Sequence, residues 1–397
     1  MKAMILALLL LSTLAFWLIG CGGISKAEQR YNTGVELQQK GQPEAAINEY
    51  NEAIRLDPKL ADAYARRGDA YGQAGLYQRA LQDYDEAIQL GTQTASVYYG
   101  RGVAYLNTDQ SDKAVEGFNE ALRLDPQLVD AYVKQGIAHY SMAYLDKSHA
   151  EMALEGFDQA IRLDPNRADI YVLRADAYTH LGQWPKVIDN LNEAIRLRPG
   201  SADAHLIRGD AYQTLGQHQE AIADFDEAIR LNPQTILAYI FRSQSHLKLG
   251  QVPQAMADAE QAFQINPQNW MVYKARGLAY EQLGDLEKAI ADFDQGIQFN
   301  PPSAALFSLL YVSRGDVYRR LGHTQKAIED LEAAMKINPN AGEAYASRAL
   351  AYGALGRDEE AKQDLARALE LGVDTSGAAK KWWDFTFLKH DFEELNK

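Results

Sequence analysis

Ala202-Asp203-Ala204-His205-Leu206-Ile207-Arg208-Gly209-Asp210-Ala211-Tyr212, a break at Gly216, then Ala221-Ile222-Ala223-Asp224-Phe225-Asp226-Glu227-Ala228-Ile229 is the stretch that decides the fold. Apolar and small residues fall at i, i+3, i+4 and i+7 in both halves, so each half reads as an amphipathic helix. Working outward, prolines recur at Pro165, Pro199, Pro233, Pro267 and Pro301, each 34 residues after the last. Pro58 and Pro126 lie 68 apart, twice that period. The longer gaps, 39 from Pro126 to Pro165 and 38 from Pro301 to Pro339, predict two short insertions. One helical hairpin is therefore expected ten times over residues 27–375.

Within the unit, the eighth position is always small: Gly34, Gly68, Gly102, Gly136, Ala175, Gly209, Ser243, Gly277, Gly315 and Ala349. Such residues let two helices approach closely. Position 20 is Ala in nine copies and Val187 in the fifth; position 27 is Ala in nine and Gly296 in the eighth. Proline ends the second helix in eight copies, because it cannot continue the hydrogen-bond ladder. Of the 22 tyrosines, 17 fall at positions 4, 11 and 24, where they are expected to pack rather than to catalyse.

This pattern resembles the tetratricopeptide repeat, over about nine tenths of the chain. The resemblance implies an all-α, right-handed α-solenoid superhelix of about ten helical hairpins. A capping helix is expected over 376–397, where Trp382, Trp383, Phe385, Phe387, Leu388 and Phe392 would cover the open end of the stack. The resemblance also implies a concave groove lined by first helices, through positions 2, 5, 6, 9, 12 and 13. In the fifth to seventh copies, positions 5, 6 and 9 are Val172, Leu173 and Asp176; Leu206, Ile207 and Asp210; Ile240, Phe241 and Gln244. They predict an apolar strip with an acidic edge, suited to a basic amphipathic helix or extended segment. A share of these residues is also expected to pack between hairpins. Lys274 stands at position 5 without the Asn at position 9 that some relatives use to hold a C-terminal carboxylate.

Arg stands at position 7 in eight copies (Arg67, Arg101, Arg174, Arg208, Arg242, Arg276, Arg314, Arg348). An acid stands at position 23 in seven: Glu49, Asp83, Asp224, Asp258, Asp292, Asp330 and Asp364. Ion pairs between first and second helices are expected from the two series, within a repeat or between neighbours.

The N-terminus carries a different signal. After Met1 and Lys2 the run Ala3–Gly20 holds no charge and ends Leu18-Ile19-Gly20-Cys21. A basic start, an apolar middle and a small residue at the exit form an export signal. The end of the run resembles the bacterial lipoprotein box. That resemblance implies a signal peptide over 1–20, lipidation of Cys21, and a short tether over 21–26 before the repeats. Gly22 after the Cys allows outer-membrane sorting if the cell has one. The sole Cys of the chain excludes an intrachain disulfide and Cys-based zinc binding.

With 40 Lys+Arg against 54 Asp+Glu, the formal net charge is -14, which argues against nucleic acid as the partner. The sequence holds no phosphate-binding loop, zincin motif, nucleophile elbow or EF-hand. His139, His205 and His246 replace Tyr at positions 11, 4 and 11, and are expected as core substitutions rather than metal ligands. The expectation is a membrane-anchored scaffold facing the extracytoplasmic space, binding protein partners, with no enzymatic activity, cofactor, metal or evident small-molecule substrate. Its alternatives are an accessory subunit of an envelope enzyme and a peptidoglycan- or carbohydrate-binding module.

Overall fold

The computed structural model describes residues 24–373 except 145 and 302, and among them it holds 20 helices and no strand. Cys21, the segment 1–20 expected as a signal peptide and the segment 376–397 expected as a capping helix lie outside the described residues. The chain divides into two units, one ending at Leu197 and one beginning at Arg198. The first unit contains α1 (Lys26–Gln39), α2 (Pro43–Leu56), α3 (Ala61–Gln73), α4 (Tyr77–Gln89), α5 (Ala95–Leu106), α6 (Ser111–Leu124), α7 (Val129–Met142), α8 (Ser148–Leu163), α9 (Ala168–His180) and α10 (Trp184–Leu197). The second contains α11 (Ala202–Thr214), α12 (His218–Leu231), α13 (Ile236–Lys248), α14 (Val252–Ile265), α15 (Trp270–Leu283), α16 (Leu286–Gln298), α17 (Ala304–Arg320), α18 (Thr324–Ile337), α19 (Gly342–Ala354) and α20 (Asp358–Glu370). Odd and even helices pair as hairpins, in the register that the proline spacing predicts.

Two turn types separate the helices. In every hairpin but the fourth, whose turn among the described residues has none, the first helix is followed by a left-handed residue, as at Gly216 with φ 74°. There Gly216 N–H donates to the Gln213 carbonyl at 3.0 Å and Gln217 N–H to that of Tyr212 at 2.9 Å. This Schellman arrangement satisfies the last carbonyls of the helix. At six of the nine junctions between hairpins an extended Asp or Asn precedes a proline; Arg198 precedes Pro199, Asn300 before Pro301 has φ 49°, and the junction at Gly91 has no proline. In the six, the proline holds the Asp or Asn in the extended region, which ends the second helix. Its side chain then accepts the amide two residues on. Asp57, Asp125, Asp164, Asn232, Asn266 and Asn338 each do so at 2.9–3.2 Å.

The small residue at position 8 answers the side chain at position 24 of the same hairpin. A Cβ on Gly34, Gly68, Gly102, Gly136, Gly209 or Gly277 would stand 2.5–2.9 Å from the ring of Tyr50, Tyr84, Phe118, Phe157, Phe225 or Phe293. Those rings are buried between the two helices. Where position 24 is Leu191, Ala259, Leu331 or Leu365, position 8 is Ala175, Ser243, Gly315 or Ala349, so three of these four have a Cβ. Aromatic size and glycine thus vary together, as dense packing requires.

The insertions mostly lengthen helices. The helix α17 runs for 17 residues and α8 for 16, against 12–14 in the others.

Candidate functional site

Stacking is tied by the position-7 arginines. In the six hairpins that carry both residues, Arg67, Arg208, Arg242, Arg276, Arg314 and Arg348 grip Asp83, Asp224, Asp258, Asp292, Asp330 and Asp364 through Nε and Nη2. Each pair lies within one hairpin, and each carboxylate is buried. The third arm of the guanidinium reaches the preceding hairpin. Arg67 Nη1 donates to Asn51 Oδ1 at 2.6 Å, Arg242 Nη1 to Asp226, Arg314 Nη1 to Asp294, and Arg348 Nη1 stands 3.5 Å from Glu332. One side chain therefore closes its own hairpin and bolts it to its neighbour, a task for the planar five-donor fork of Arg.

Within each unit the first helices of successive hairpins touch one another, while second helices make no comparable contact. The first helices therefore line the inner side of the local curve. That face in the first unit holds a cleft of about 550 Å³ among α1, α3 and α5. Gln38, Gln39, Arg66, Asp69, Gln73 and Tyr99 give it a polar lining, with Val35 and Val103 as apolar floor. Tyr84 reaches it from α4. Its hydroxyl donates to Asp69 Oδ1 at 2.9 Å, and a Cβ on Gly100 would stand 2.5 Å from that hydroxyl oxygen. Burial pushes the Asp69 carboxyl up from its ordinary range, against the opposing pull of the Tyr84 hydrogen bond and Arg66. Burial also raises the Tyr84 phenol.

In the second unit a pocket of about 320 Å³ opens between α13 and α15, lined by Gln244, Lys248, Lys274, Leu278, Glu281 and Gln282. Burial lowers the Lys274 ammonium. Arg320 holds Glu281 at 2.8 Å.

The groove residues expected from the sequence divide by exposure. Val172, Leu173 and Asp176 on α9, and Leu206, Ile207 and Asp210 on α11, are half-buried on first helices. Phe241 and Gln244 on α13 are half-buried too. Phe241 lies 6.0 Å from Phe225, ring centre to ring centre, and its carbonyl accepts Gln213 Nε2 at 2.9 Å. Ile240 is a correction. It is 1% exposed and packs with Ala259, Ala262, Val272 and Ala275, so it belongs to the core. Periodicity places a residue on a face only to within one position, and here α15 covers position 5. The cleft at the first three hairpins was missed, although Arg66, Asp69 and Tyr99 stand at groove positions 6, 9 and 5. Their mixed polar character carries no periodic apolar signal of the kind found in the middle of the chain.

Two carboxylates stand apart. Asp176 and Asp210, both at position 9, are half-buried and make no hydrogen bond or ion pair among the described residues. Burial alone raises both carboxyls. A desolvated carboxylate without a partner is costly, and a cation brought to it would favour the ionised form.

Among the described residues no helix is long and apolar enough to cross a membrane. Family models described as TPR repeat match residues 34–75, 68–109, 175–216 and 315–356. Models described as tetratricopeptide repeat match 202–235 and 270–302, 95–128, and 342–371. Together the matches span more than half of the chain. No curated protein matches it. Among solved structures, the C-terminal part of a TPR repeat-containing protein from Cytophaga hutchinsonii is similar, at 15% identity and TM-score 0.53, covering 62% of this chain and 98% of that one. YrrB, described as a TPR protein with an unusual peptide-binding site, is 24% identical with TM-score 0.41, over 48% of this chain and 95% of its own. Yeast Tom70 is 16% identical with TM-score 0.49, over 90% and 95%.

Proposed function

The chain belongs to the tetratricopeptide repeat family, and we propose that it is a membrane-anchored scaffold that binds protein partners through the inner face of its first helices. The observation that carries this reading is the pair of half-buried, unpartnered carboxylates, Asp176 and Asp210, each on the inner face beside apolar side chains. Leu173 stands near the first and Leu206 and Ile207 near the second. That chemistry fits a partner segment with Lys or Arg beside apolar anchors. A charge-assisted hydrogen bond formed there would gain the strength of a low-dielectric site.

Asp210→Asn tests the contact without removing an internal partner. Crosslinking in intact cell envelopes, followed by pull-down, should capture a partner with the wild-type chain and lose it with Asp210→Asn combined with Leu206→Glu. Full retention by the double variant sinks the reading. Stability provides the control. A carboxyl whose folded pKa is raised penalises folding above its ordinary range near pH 4, and the penalty vanishes once both states are protonated. Asp210→Asn should therefore raise the melting midpoint at pH 7 and leave it unchanged near pH 3.

The anchor rests on Leu18-Ile19-Gly20-Cys21 as an export signal ending in a lipid-accepting Cys. Two or more acyl chains, at about 0.8 kcal/mol per buried methylene, would hold the chain on a membrane. Labelled palmitate should enter the wild-type protein and not Cys21→Ser. Equal labelling of both would remove the anchor from the proposal.

A further inference from the structure

Six hairpins hold an arginine in the same way. Arg67, Arg208, Arg242, Arg276, Arg314 and Arg348 each grip a buried Asp, and each guanidinium carbon lies 4.0–6.0 Å from the centre of at least one Tyr or Phe ring. A planar cation suits such a place, because its face lies on a ring while its edge donates to the carboxylate. At these six places the chain itself supplies the cation.

Where α7 meets α9 the same parts stand without the arginine. Asp176 is one of four aspartates at position 9. Asp69 is engaged by Tyr84, and Asp316 by Ser347 and Arg319, whereas Asp176 and Asp210 make no hydrogen bond or ion pair among the described residues. At position 12 of the preceding hairpin stands Tyr140 in the case of Asp176 and Thr179 in that of Asp210. Burial first, and then the charge of Asp176, push the Tyr140 phenol up to about 12, so ring and carboxylate are neighbours. His180, one turn beyond Asp176 on α9, has its ring centre 6.3 Å from that of Tyr140 and 5.1 Å from that of Tyr144, edge to face in both. Its Nε2–H donates to the Ala143 carbonyl at 3.0 Å, which ties the end of α9 to the turn that carries Tyr144. Tyr144 opens the inserted turn of the fourth hairpin, across which His139 Nδ1 also meets His149 Nδ1 at 3.3 Å in a hydrogen bond. Tyr144 is 77% exposed, so core packing does not account for it.

We infer that Asp176, Tyr140, Tyr144 and His180 form a guanidinium site that takes an arginine side chain of the bound partner segment. The site depends on the protein-binding reading of the inner face and gives Asp176 its counter-ion. The carboxylate accepts the N–H fork while the rings cover the flat face of the cation. An ammonium can meet the carboxylate, but it is a compact point charge with no face to lay on a ring, so arginine is preferred to lysine.

The experiment is calorimetric titration of the full chain with acetylated, amidated pentapeptides Gly-Leu-X-Leu-Gly, in which X is arginine, lysine or the neutral isostere citrulline. The arginine peptide should bind at one site, the lysine peptide about threefold more weakly, and the citrulline peptide at least about tenfold more weakly. Asp176→Asn should cost at least about tenfold in affinity for the arginine peptide and Tyr144→Ala about threefold, while Asp210→Asn changes it by less than about twofold. Neither Asp176→Asn nor Tyr144→Ala should lower the melting midpoint, since Asp176 has no internal partner among the described residues and Tyr144 is exposed. Nα-acetylarginine amide, a guanidinium without the leucines, should bind more weakly than the peptide; equal binding would overturn the partner segment in favour of a small cation. No measurable binding of the arginine peptide, equal affinity for its citrulline counterpart, or full affinity in Asp176→Asn overturns the inference, and the scaffold reading then stands or falls on the envelope crosslinking alone. Loss of that crosslinking with the arginine preference intact would remove the scaffold reading and keep the guanidinium site.

Discussion

The eighth hairpin and the third share a fold and an arginine, and differ in what the arginine holds. In the eighth, Arg276 grips Asp292 through Nε and Nη2 at 2.8 and 2.7 Å, and its guanidinium carbon lies 4.0 Å from the ring centre of Phe263 in the preceding hairpin. In the third, Arg101 finds Asp85 of the preceding hairpin at 3.2 Å, and its buried Nε has no partner among the described residues. The cause is Gly117, which occupies the position of Asp292. Its missing Cβ would lie 3.0 Å from Gly102 Cα and 3.1 Å from the Tyr98 carbonyl oxygen. The third hairpin has close backbone approach where the eighth has a buried ion pair. A repeated residue therefore does not carry a repeated interaction; the partner position has to repeat with it.

The largest expected effect comes from breaking the grip. Arg276→Met leaves Asp292, 6% exposed, as a buried charge without its counterion. Breaking one side of such a pair costs about 3–5 kcal/mol. Arg101→Met releases only Asp85, whose side chain is 47% exposed, and should cost less than about 1 kcal/mol. Repeat proteins need not unfold in one step, so the measurement is hydrogen exchange resolved to the hairpin alongside denaturant unfolding. Equal losses in the two variants would erase the distinction between the hairpins.

The next effect tests why the third hairpin lacks the acid. Gly117→Asp supplies the carboxylate that Arg101 lacks, and it should still destabilise. The new Cβ meets backbone, which cannot swing aside as a long side chain does. Overpacking of this kind costs about 1–3 kcal/mol. A rise in stability on denaturant unfolding would show that the backbone yields and that the fork is worth more than the close approach.

The legibility of the molecule follows the same division. The hairpins were readable because proline spacing and small positions 8, 20 and 27 act within one repeat, where sequence distance is constant. The Arg–Asp pairing was readable for that reason too. The third arm of each arginine was not, since Asn51, Asp226 and Asp294 belong to the previous hairpin and their contact depends on stacking geometry. The inner face was half legible. Asp176 and Asp210 stand half-buried on it, yet Ile240 went to the core under α15. Tyr50 and Tyr84 pack through their rings, as their repeat position predicts, while their hydroxyls reach Gln38 and Asp69 on the first helices. The pairing of His139 with His149 needed the insertion's path, which no periodicity describes.

The smallest effect concerns the turn. Position 15 is a left-handed glycine in the eighth hairpin, Gly284 with φ 86°, and Asp109 with φ 57° in the third. A side chain in that region crowds the following carbonyl, at about 1–2 kcal/mol for most residues and less for Asp, whose short polar group bonds locally. Asp109→Gly should relieve part of that strain and also loosen the unfolded chain, since Gly has more freedom to lose on folding. The two terms oppose, so the net gain should stay below about 1 kcal/mol, visible as slower exchange of the Gln110 amide, which donates to the Tyr105 carbonyl at 3.0 Å. Faster exchange there would mean that the aspartate holds the turn better than glycine, and that the third hairpin differs from the eighth in its ion pair alone.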